Sequence, residues 1–512
     1  MTQTRVSSTE RLPAIVRALG SIEKWGNKLP HPFWLFWILS LLVGVVSAIA
    51  AANGASVVSP SDGKAVFVKN LLSGEGLQMA VSTALENFAS FPPMITIVVV
   101  IMGVAIAERS GFLEALMRIS ISRVPAPLVV FAVAFTGTMA HVASAAAYVI
   151  LVPLGALAFR AVGKSPVLGI VVAYTSIASG YDASPIPTPN DAIFAGIATS
   201  AARIVDPDAH VSPLSNWYFN IASSIVLAAV ITLVTHLVLT KRPGLDVDVD
   251  ADLSNMRDLR LSQVEKTGLL RAGIAFLVLA AATVAMLLPN DSPLRGENGS
   301  IVESPFLTGI AVVIALTFGV VGTVYGATTK VISKPADIPR MMAEGIRTMA
   351  PVLVLFFAIA QFLAYFEWTR LGDLISVSAA HALGDLGAPL GVIFLGILML
   401  LSLVNVLITS GSAMWAITAP ILIPMLMLMA VPPETTQALF RIADSGSTAI
   451  TPMSPYFVMA LGFLQRYQKS AGIGTLASHT LPLAIAMTVV WTILFFVWWG
   501  LGLPLGPGAS IR

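Results

Sequence analysis

Arg441 and Asp444 stand three residues apart in the stretch FRIADSGSTAITPMSPYF, within a run apolar enough to enter a membrane. At that spacing the two share a helical face and can pair. Charges inside a span are costly and generally face a cavity on a substrate or ion path, although a self-neutralising pair that only orients its helix is the plain alternative. A second polar break, GYDASPIPTPNDAI, runs from Gly180 to Ile193. Its prolines at 185, 187 and 189 cannot sit in an unbroken helix, so carbonyls and amides are released there. At membrane depth such unwinding survives only where it lines a cavity or is packed in protein. Asn190 and Asp191 follow at the start of the resumed helix, where the dipole's positive end can hold an anion or an aspartate can simply cap. Pro452 and Pro455 break the second region as Pro185 and Pro187 break the first. The stretch TSGSAMW offers hydroxyls from Ser410 and Ser412, a glycine at 411 for close backbone approach, and an indole at Trp415 that can stack on an aryl ring or merely pack.

These residue types suit ion-coupled recognition of a small anion. Arg441 can take a carboxylate, and serine hydroxyls and freed backbone groups can fix its orientation. A carboxylate withdrawn from water can take up and release a proton in the working pH range, which makes Asp191 and Asp444 the coupling residues; the ion is H⁺ or, from hydroxyl-rich tips, Na⁺. Asp182 either titrates or satisfies freed backbone, His141 either shuttles protons or packs, and Asn405 serves as an interhelical hydrogen-bond partner. An intramembrane hydrolase would need Ser412 and a histidine together, yet His141 lies in a different segment with no third residue to orient it. Asp246, Asp248, Asp250 and Asp252 hint at calcium, but Ala251 and Arg257 stand where the loop needs glycine and glutamate, so no metal and no cofactor are expected.

The elements that must position these groups occur twice. Tyr148 and Trp415, Pro153 and Pro420, and Pro185 and Pro452 are each 267 positions apart. Two stretches read as an apolar arm, a polar tip and a second arm with proline: Pro125 through Thr138, His141 and Ser144 to Phe159, and Pro389 through Thr409 to Met429. Arms of about 13 to 18 residues do not comfortably cross roughly 30 Å of hydrocarbon, so each unit reads as a re-entrant hairpin. Paired interrupted helices point to a transporter site. With 56% apolar and 11% charged residues and a mean hydropathy of +0.86, the chain is a membrane protein. A net charge of +2 without aromatic interleaving excludes a nucleic-acid partner, and zero cysteines exclude disulfides and thiolate chemistry.

The expected fold is an all-α polytopic membrane protein with inverted-topology repeats, about nine transmembrane helices and two re-entrant hairpins. Spans are predicted near 33–51, 93–107, 166–199, 217–239, 272–288, 305–324, 351–367, 438–465 and 480–503. Residues 1–30 read as a cytoplasmic segment carrying Arg5, Arg11, Arg17, Lys24 and Lys28. Residues 31–239 form the first repeat, with a hairpin at about 125–160 and a broken helix at about 166–199. A cytoplasmic linker spans 240–271, and the second repeat, 272–465, holds a hairpin at about 389–429 and a broken helix at about 438–465. The last span and C-terminal tail occupy 466–512. Basic residues concentrate at 240–271 and 325–350, which puts the N-terminus inside a bacterial inner membrane, the C-terminus in the periplasm, and the hairpins on opposite faces, the first flanked by Arg118, Arg123, Arg160 and Lys164. Residues 111–122 read as an interfacial helix with Glu114 and Arg118 on one side.

The motifs TSGSAMWAITAPILIPML, RIADS, ITPMSPYF, QRYQKSAGIGTL and GLGLPLGPGA, in that order, resemble the AbgT family of bacterial p-aminobenzoyl-glutamate transporters. The resemblance implies a homodimer of nine-span protomers with two hairpins, divided into a dimerising scaffold and a moving transport core. It implies uptake of p-aminobenzoyl-glutamate or proton-driven export of sulfonamide antimetabolites by alternating access. By motif it assigns roles to Asp191, Ser412, Trp415, Arg441, Asp444 and Pro452. The chain departs from the family pattern at Ala145 and Ala146, where an acidic residue is common, at Met414, where lysine is common, and at Thr448, where asparagine precedes the ITP motif. The competing expectations are a sodium-coupled dicarboxylate symporter of similar architecture and a passive channel.

Overall fold

The computed structural model describes residues 30–58, 64–122, 124–143, 145–242, 245, 247–248, 260–301 and 304–512. The five basic residues of the N-terminal segment, Arg123, Ser144, and Asp246, Asp250, Ala251, Asp252 and Arg257 of the linker lie outside the described residues. Among the described residues the regular structure is helical apart from one small β-hairpin. After α1 (Pro32–Ala52), β1 (Ser56–Val58) pairs antiparallel with β2 (Ala65–Phe67), Val57 opposite Val66. Short helices α2 (Gly74–Ser82) and α3 (Ala84–Ala89) lead to α4 (Pro92–Arg109), whose paired prolines fit the first turn, where a missing N–H costs nothing. The predicted interfacial segment is α5 (Phe112–Ser122), and its Arg118 bridges to Glu265 at 2.8 Å.

The first arm–tip–arm unit comprises α6 (Val129–Met139), a tight turn over Ala140–Ala143, and α7 (Ala146–Ala161). The first broken helix follows as α8 (Pro166–Ala178) and α9 (Pro189–Ala202), then α10 (Trp217–Leu237). Beyond the linker come α11 (Gln263–Leu287), α12 (Pro305–Thr308), α13 (Ile310–Thr329) and the long α14 (Asp337–Trp368). From there the first half's order recurs: a short helix α15 (Leu371–Asp385), arms α16 (Leu390–Leu407) and α17 (Gly411–Met427), a broken helix α18 (Pro433–Thr448) and α19 (Pro455–Leu464), and α20 (Ile473–Leu501).

Among the described residues nine helices are long and apolar enough to cross a bilayer, but they are not the nine predicted spans. Seven coincide. The other two are the first arms of the arm–tip–arm units, Ala126–Ala143 and Leu390–Leu407, each of 18 residues. At 1.5 Å per residue such an arm reaches about 27 Å, the upper end of the range read from the sequence. The predicted spans 166–199 and 438–465 are instead pairs of shorter helices of 13 and 14 and of 16 and 10 residues. Two predicted loops are also partly helical: α11 begins at Gln263 and α14 at Asp337, both ahead of the expected apolar cores. Ser262 explains the first of these, because its hydroxyl accepts from the Glu265 amide at 3.2 Å and the Glu265 carboxylate accepts from the Ser262 amide at 2.6 Å.

Burial locates the centre. Every residue of α8 is buried, and so is every residue from Thr435 to Ser447 of α18. The α18 segment is the more informative, since it buries Gln437, Arg441 and Asp444 where α8 buries mainly aliphatic and small side chains. By contrast α11 exposes Leu270, Ile274, Leu277 and Val278. Apolar exposure on that scale fits lipid or a partner in the bilayer rather than water.

Candidate functional site

Asp191 opens α9 as part of a cap. Thr188 is the residue before Pro189; its amide donates to Asp191 Oδ2 at 2.6 Å and its hydroxyl to the same oxygen at 2.8 Å. Asp191 is therefore the third residue of the helix rather than its N-cap, and its carboxylate satisfies a freed donor while facing the positive end of the dipole. Its other oxygen, Oδ1, meets Arg441 Nη2 at 2.7 Å. The expected pairing of Arg441 with Asp444 on its own helix is not formed. Asp191 projects instead from the opposite break, already oriented by Thr188, and its free oxygen makes the short charge-assisted contact with the guanidinium.

Arg441 is 1% exposed and every face of its guanidinium is engaged. Nε donates to Asn216 Oδ1 at 3.1 Å, Nη1 to the Asp182 carbonyl at 3.4 Å, and the plane lies 5.4 Å from the Phe194 ring centroid. Asn216 in turn donates from Nδ2 to the Glu434 carbonyl at 3.0 Å, and the Gln437 amide lies 2.9 Å from Asn216 Oδ1. The two broken helices thus meet through side chains and freed backbone together. The Ser179 hydroxyl lies 3.5 Å from the carbonyl of Gly446, the residue 267 positions on, and the Asp182 amide donates to Ser445 Oγ at 3.1 Å.

The second tip closes this region from one side. Ser410 and Ser412 are half-buried with hydroxyls 3.5 Å apart, and Gly411 between them lies so close to Asp444 that a Cβ there would fall on its carboxylate. Asn405 on the preceding arm donates from Nδ2 to the Asp444 carbonyl and to Ser447 Oγ at 2.9 Å, the interhelical role expected of it. Trp415 is fully buried, its indole N–H donating to the Phe194 carbonyl at 3.1 Å and its ring 4.4 Å from Phe440. Pro452 is buried in the second break, and Thr448, the departure ahead of it, donates from Oγ1 to the Asp444 carbonyl at 2.8 Å. Asn190 sits beside Asp191 in the first turn of α9 and is half-buried.

The first tip contributes aromatic groups. Tyr148 stacks on Tyr456 with centroids 4.2 Å apart, and His141 packs edge-on against Tyr148 and Tyr181, its Nε2 buried without a hydrogen-bond partner. Ala145 is exposed and Met414 buried. Asn216, Thr188, Ser445 and Tyr456 belong to the site and were not singled out in the sequence. Thr188 had a readable signal in the T-P-N-D order, a cap residue, proline at the first helical position and an acid third; Asn216 carried none beyond opening a span.

A cleft of about 880 Å³ lined by His210, Ser215, Ser304, Glu434 and Pro507 adjoins Asn216 through Ser215 and Glu434. All five come from segments that the basic-residue pattern assigns to the outer face. Among the described residues no cluster of three or more acidic or histidine side chains could hold a metal ion.

Residues 17–512 match the sequence profile of the AbgT transporter family. The p-aminobenzoyl-glutamate transport protein of Escherichia coli (strain K12) is 40% identical over 495 residues, 96% of each chain. Two proteins of solved structure share the fold and more than a third of the sequence. The Alcanivorax borkumensis YdaH transporter superposes with a TM-score of 0.88 at 36% identity, covering 93% of this chain and all of its own. Neisseria gonorrhoeae MtrF, described as illuminating a class of antimetabolite efflux pumps, superposes with a TM-score of 0.90 at 38% identity, covering 96% of this chain and all of its own. All three relatives are named as transporters or efflux pumps rather than enzymes.

Proposed function

The chain belongs to the AbgT transporter family, and from that premise we propose that it moves p-aminobenzoyl-glutamate or related aryl-carboxylate and sulfonamide antimetabolites across the bacterial inner membrane by proton-coupled alternating access. The observation that carries the reading is the Arg441–Asp191 ion pair at 2.7 Å, closed across two broken helices in the most buried part of the molecule. A substrate carboxylate is the natural competitor for that guanidinium. When it takes Arg441, Asp191 loses its countercharge and must bind a proton or keep only its helix cap. Substrate and ion are thereby linked through one side chain, with Asp191 and Asp444 as the coupling carboxylates.

The remaining groups supply orientation. Ser410 and Ser412 at the tip offer hydroxyls, Asn190 an amide, and the buried Pro452 keeps carbonyls of the second break free of helical bonding. Stacking of an aryl ring on Trp415 requires Phe440 to yield, so the indole acts after the core has moved. The recurrence of element order, together with the Ser179–Gly446 contact between positions 267 apart, supports two inverted repeats in which the hairpin tips enter from opposite faces. On that topology the N-terminus is cytoplasmic and the cleft beside Asn216 is the outer vestibule. The lipid-exposed α11 side, with Leu270, Ile274 and Leu277, suits the scaffold of a homodimer.

Counterflow in proteoliposomes tests the reading. Labelled p-aminobenzoyl-glutamate and a sulfonamide should exchange against unlabelled substrate, and an imposed pH gradient should drive accumulation that Arg441→Ala abolishes. Accumulation that follows a sodium gradient and ignores pH would instead establish the sodium-coupled dicarboxylate alternative.

A further inference from the structure

Tyr148 and Trp415 stand 267 positions apart, each near the start of the second arm of its arm–tip–arm unit. Their surroundings differ. Trp415 is committed to packing, with its indole N–H on the Phe194 carbonyl and its ring on Phe440. Tyr148 is 1% exposed, yet its hydroxyl has no hydrogen-bond partner. His141 of the same tip is 4% exposed with its Nε2 equally unpartnered, and the two rings meet edge to face, centroids 6.2 Å apart. Leaving a buried donor or acceptor unmade is costly, and each one that a folded protein keeps calls for a reason such as a ligand. Two on touching rings mark one polar end of an otherwise aromatic cluster. Tyr148 lies flat on Tyr456, with centroids 4.2 Å and planes 3° apart. Tyr456 is half-buried in the first turn of α19, so the stacked pair joins the first tip to the opposite half of the molecule. Tyr181 packs edge-on against His141 and is followed at once by Asp182, whose carbonyl accepts from Arg441. The ring cluster is therefore one residue of backbone away from the guanidinium site.

We propose that Tyr148 and His141 form the subsite for the p-aminophenyl group that p-aminobenzoyl-glutamate shares with sulfonamide antimetabolites, the substrate ring taking the place of Tyr456 on Tyr148 and its amino group meeting the Tyr148 hydroxyl and His141 Nε2. The inference deepens the proposed transport function and rests on it for the substrate class. A sulfonamide carries no glutamate carboxylates, so Arg441 alone does not account for recognition of both classes, whereas the p-aminophenyl group is common to them. A phenol hydroxyl both donates and accepts, and a neutral imidazole nitrogen does one or the other according to its tautomer, so an amino group finds a partner at either. Displacing Tyr456 costs little, because one aromatic stack replaces another. The exchange parallels the one at Arg441, where a substrate carboxylate takes the place of Asp191. At each end the substrate thus competes with a side chain that ties one half of the molecule to the other, Asp191 to Arg441 and Tyr456 to Tyr148. Occupancy of both ends loosens the contact between the halves.

The test uses the full-length protein in detergent and three probes: p-aminobenzoyl-glutamate, benzoyl-glutamate, which lacks the amino group, and p-aminobenzamide, which lacks the carboxylates. Calorimetry on the wild type should show a preference of about tenfold for p-aminobenzoyl-glutamate over benzoyl-glutamate, the worth of roughly one hydrogen-bonded group. Tyr148→Phe keeps the ring and should lose most of that preference while binding benzoyl-glutamate within about twofold of wild type. It should not lower the thermal transition, since the hydroxyl removed has no partner in the protein. His141→Phe should lose the preference as well. Ligand-observed NMR should detect p-aminobenzamide on the wild type and weaker binding in both variants. Equal wild-type affinity for the two glutamates, or a loss in Tyr148→Phe that is the same for both, overturns the subsite and leaves the transport reading standing. Tyr148-dependent binding of p-aminobenzamide without any binding of p-aminobenzoyl-glutamate refutes the substrate assignment and leaves the aryl subsite standing. Binding of none of the three probes overturns both.

Discussion

At the scale of single residues the account turns on Arg441, a fully buried guanidinium whose neighbours are chosen by geometry rather than by sequence proximity. Removing one member of a buried ion pair strands the other charge, which costs about 3 to 5 kcal/mol, whereas replacing both with apolar groups of similar volume is often neutral. Asp191→Leu or Arg441→Met alone should therefore lower the thermal transition of the detergent-solubilised protein by several degrees. The double variant Asp191→Leu/Arg441→Met should recover most of it and still fail to transport; a double variant no more stable than the singles would contradict the pairing. Gly411 gives a second prediction. Alanine there competes for space with the Asp444 carboxylate, and overpacking costs about 1 to 3 kcal/mol, so Gly411→Ala should cut exchange severely. Gly396→Ala on the preceding arm α16, where a Cβ meets nothing within 4 Å, should leave exchange unchanged.

At the scale of elements the breaks do the positioning. Thr188 holds Asp191 through two hydrogen bonds to one oxygen, and losing such a cap costs about 1 kcal/mol. Thr188→Val should weaken binding of p-aminobenzoyl-glutamate, measured by calorimetry, and Thr188→Ser should restore it; equal affinity in both would detach the cap from the site. The breaks themselves were legible, because three prolines within five residues admit no continuous helix and the polar tips flank them. Arg441, Asp444, Asp191 and Asn405 could be read for the same reason: charged or amide groups amid apolar residues stand out. Their partners could not. Local spacing favours Arg441 with Asp444, and only the folded crossing of the two breaks brings Asp191 within 2.7 Å. Likewise α15 escaped notice because its mixed composition lacks the continuous apolar run that marks a span, although it occupies the place of α5 in the recurring order.

For the whole molecule, helix content and the membrane setting follow from composition, and the order of elements follows from two similar halves. Among the described residues the count of long apolar helices agrees with expectation while two of the nine differ in identity, since hydropathy rewards the unbroken first arms and penalises the proline-split helices that form the centre. The central claim of the proposed function concerns movement between faces: the Arg441 site would lie between two tips entering from opposite sides and open to each in turn. A chain without cysteine permits single-site labelling without background. Ser410→Cys and Ala145→Cys, one at each tip, should react with a membrane-impermeant thiol reagent from the outer and the inner side respectively. Substrate together with a reversed pH gradient should shift reactivity from one position to the other. Labelling of both tips from one and the same side, whatever the gradient, would contradict the account.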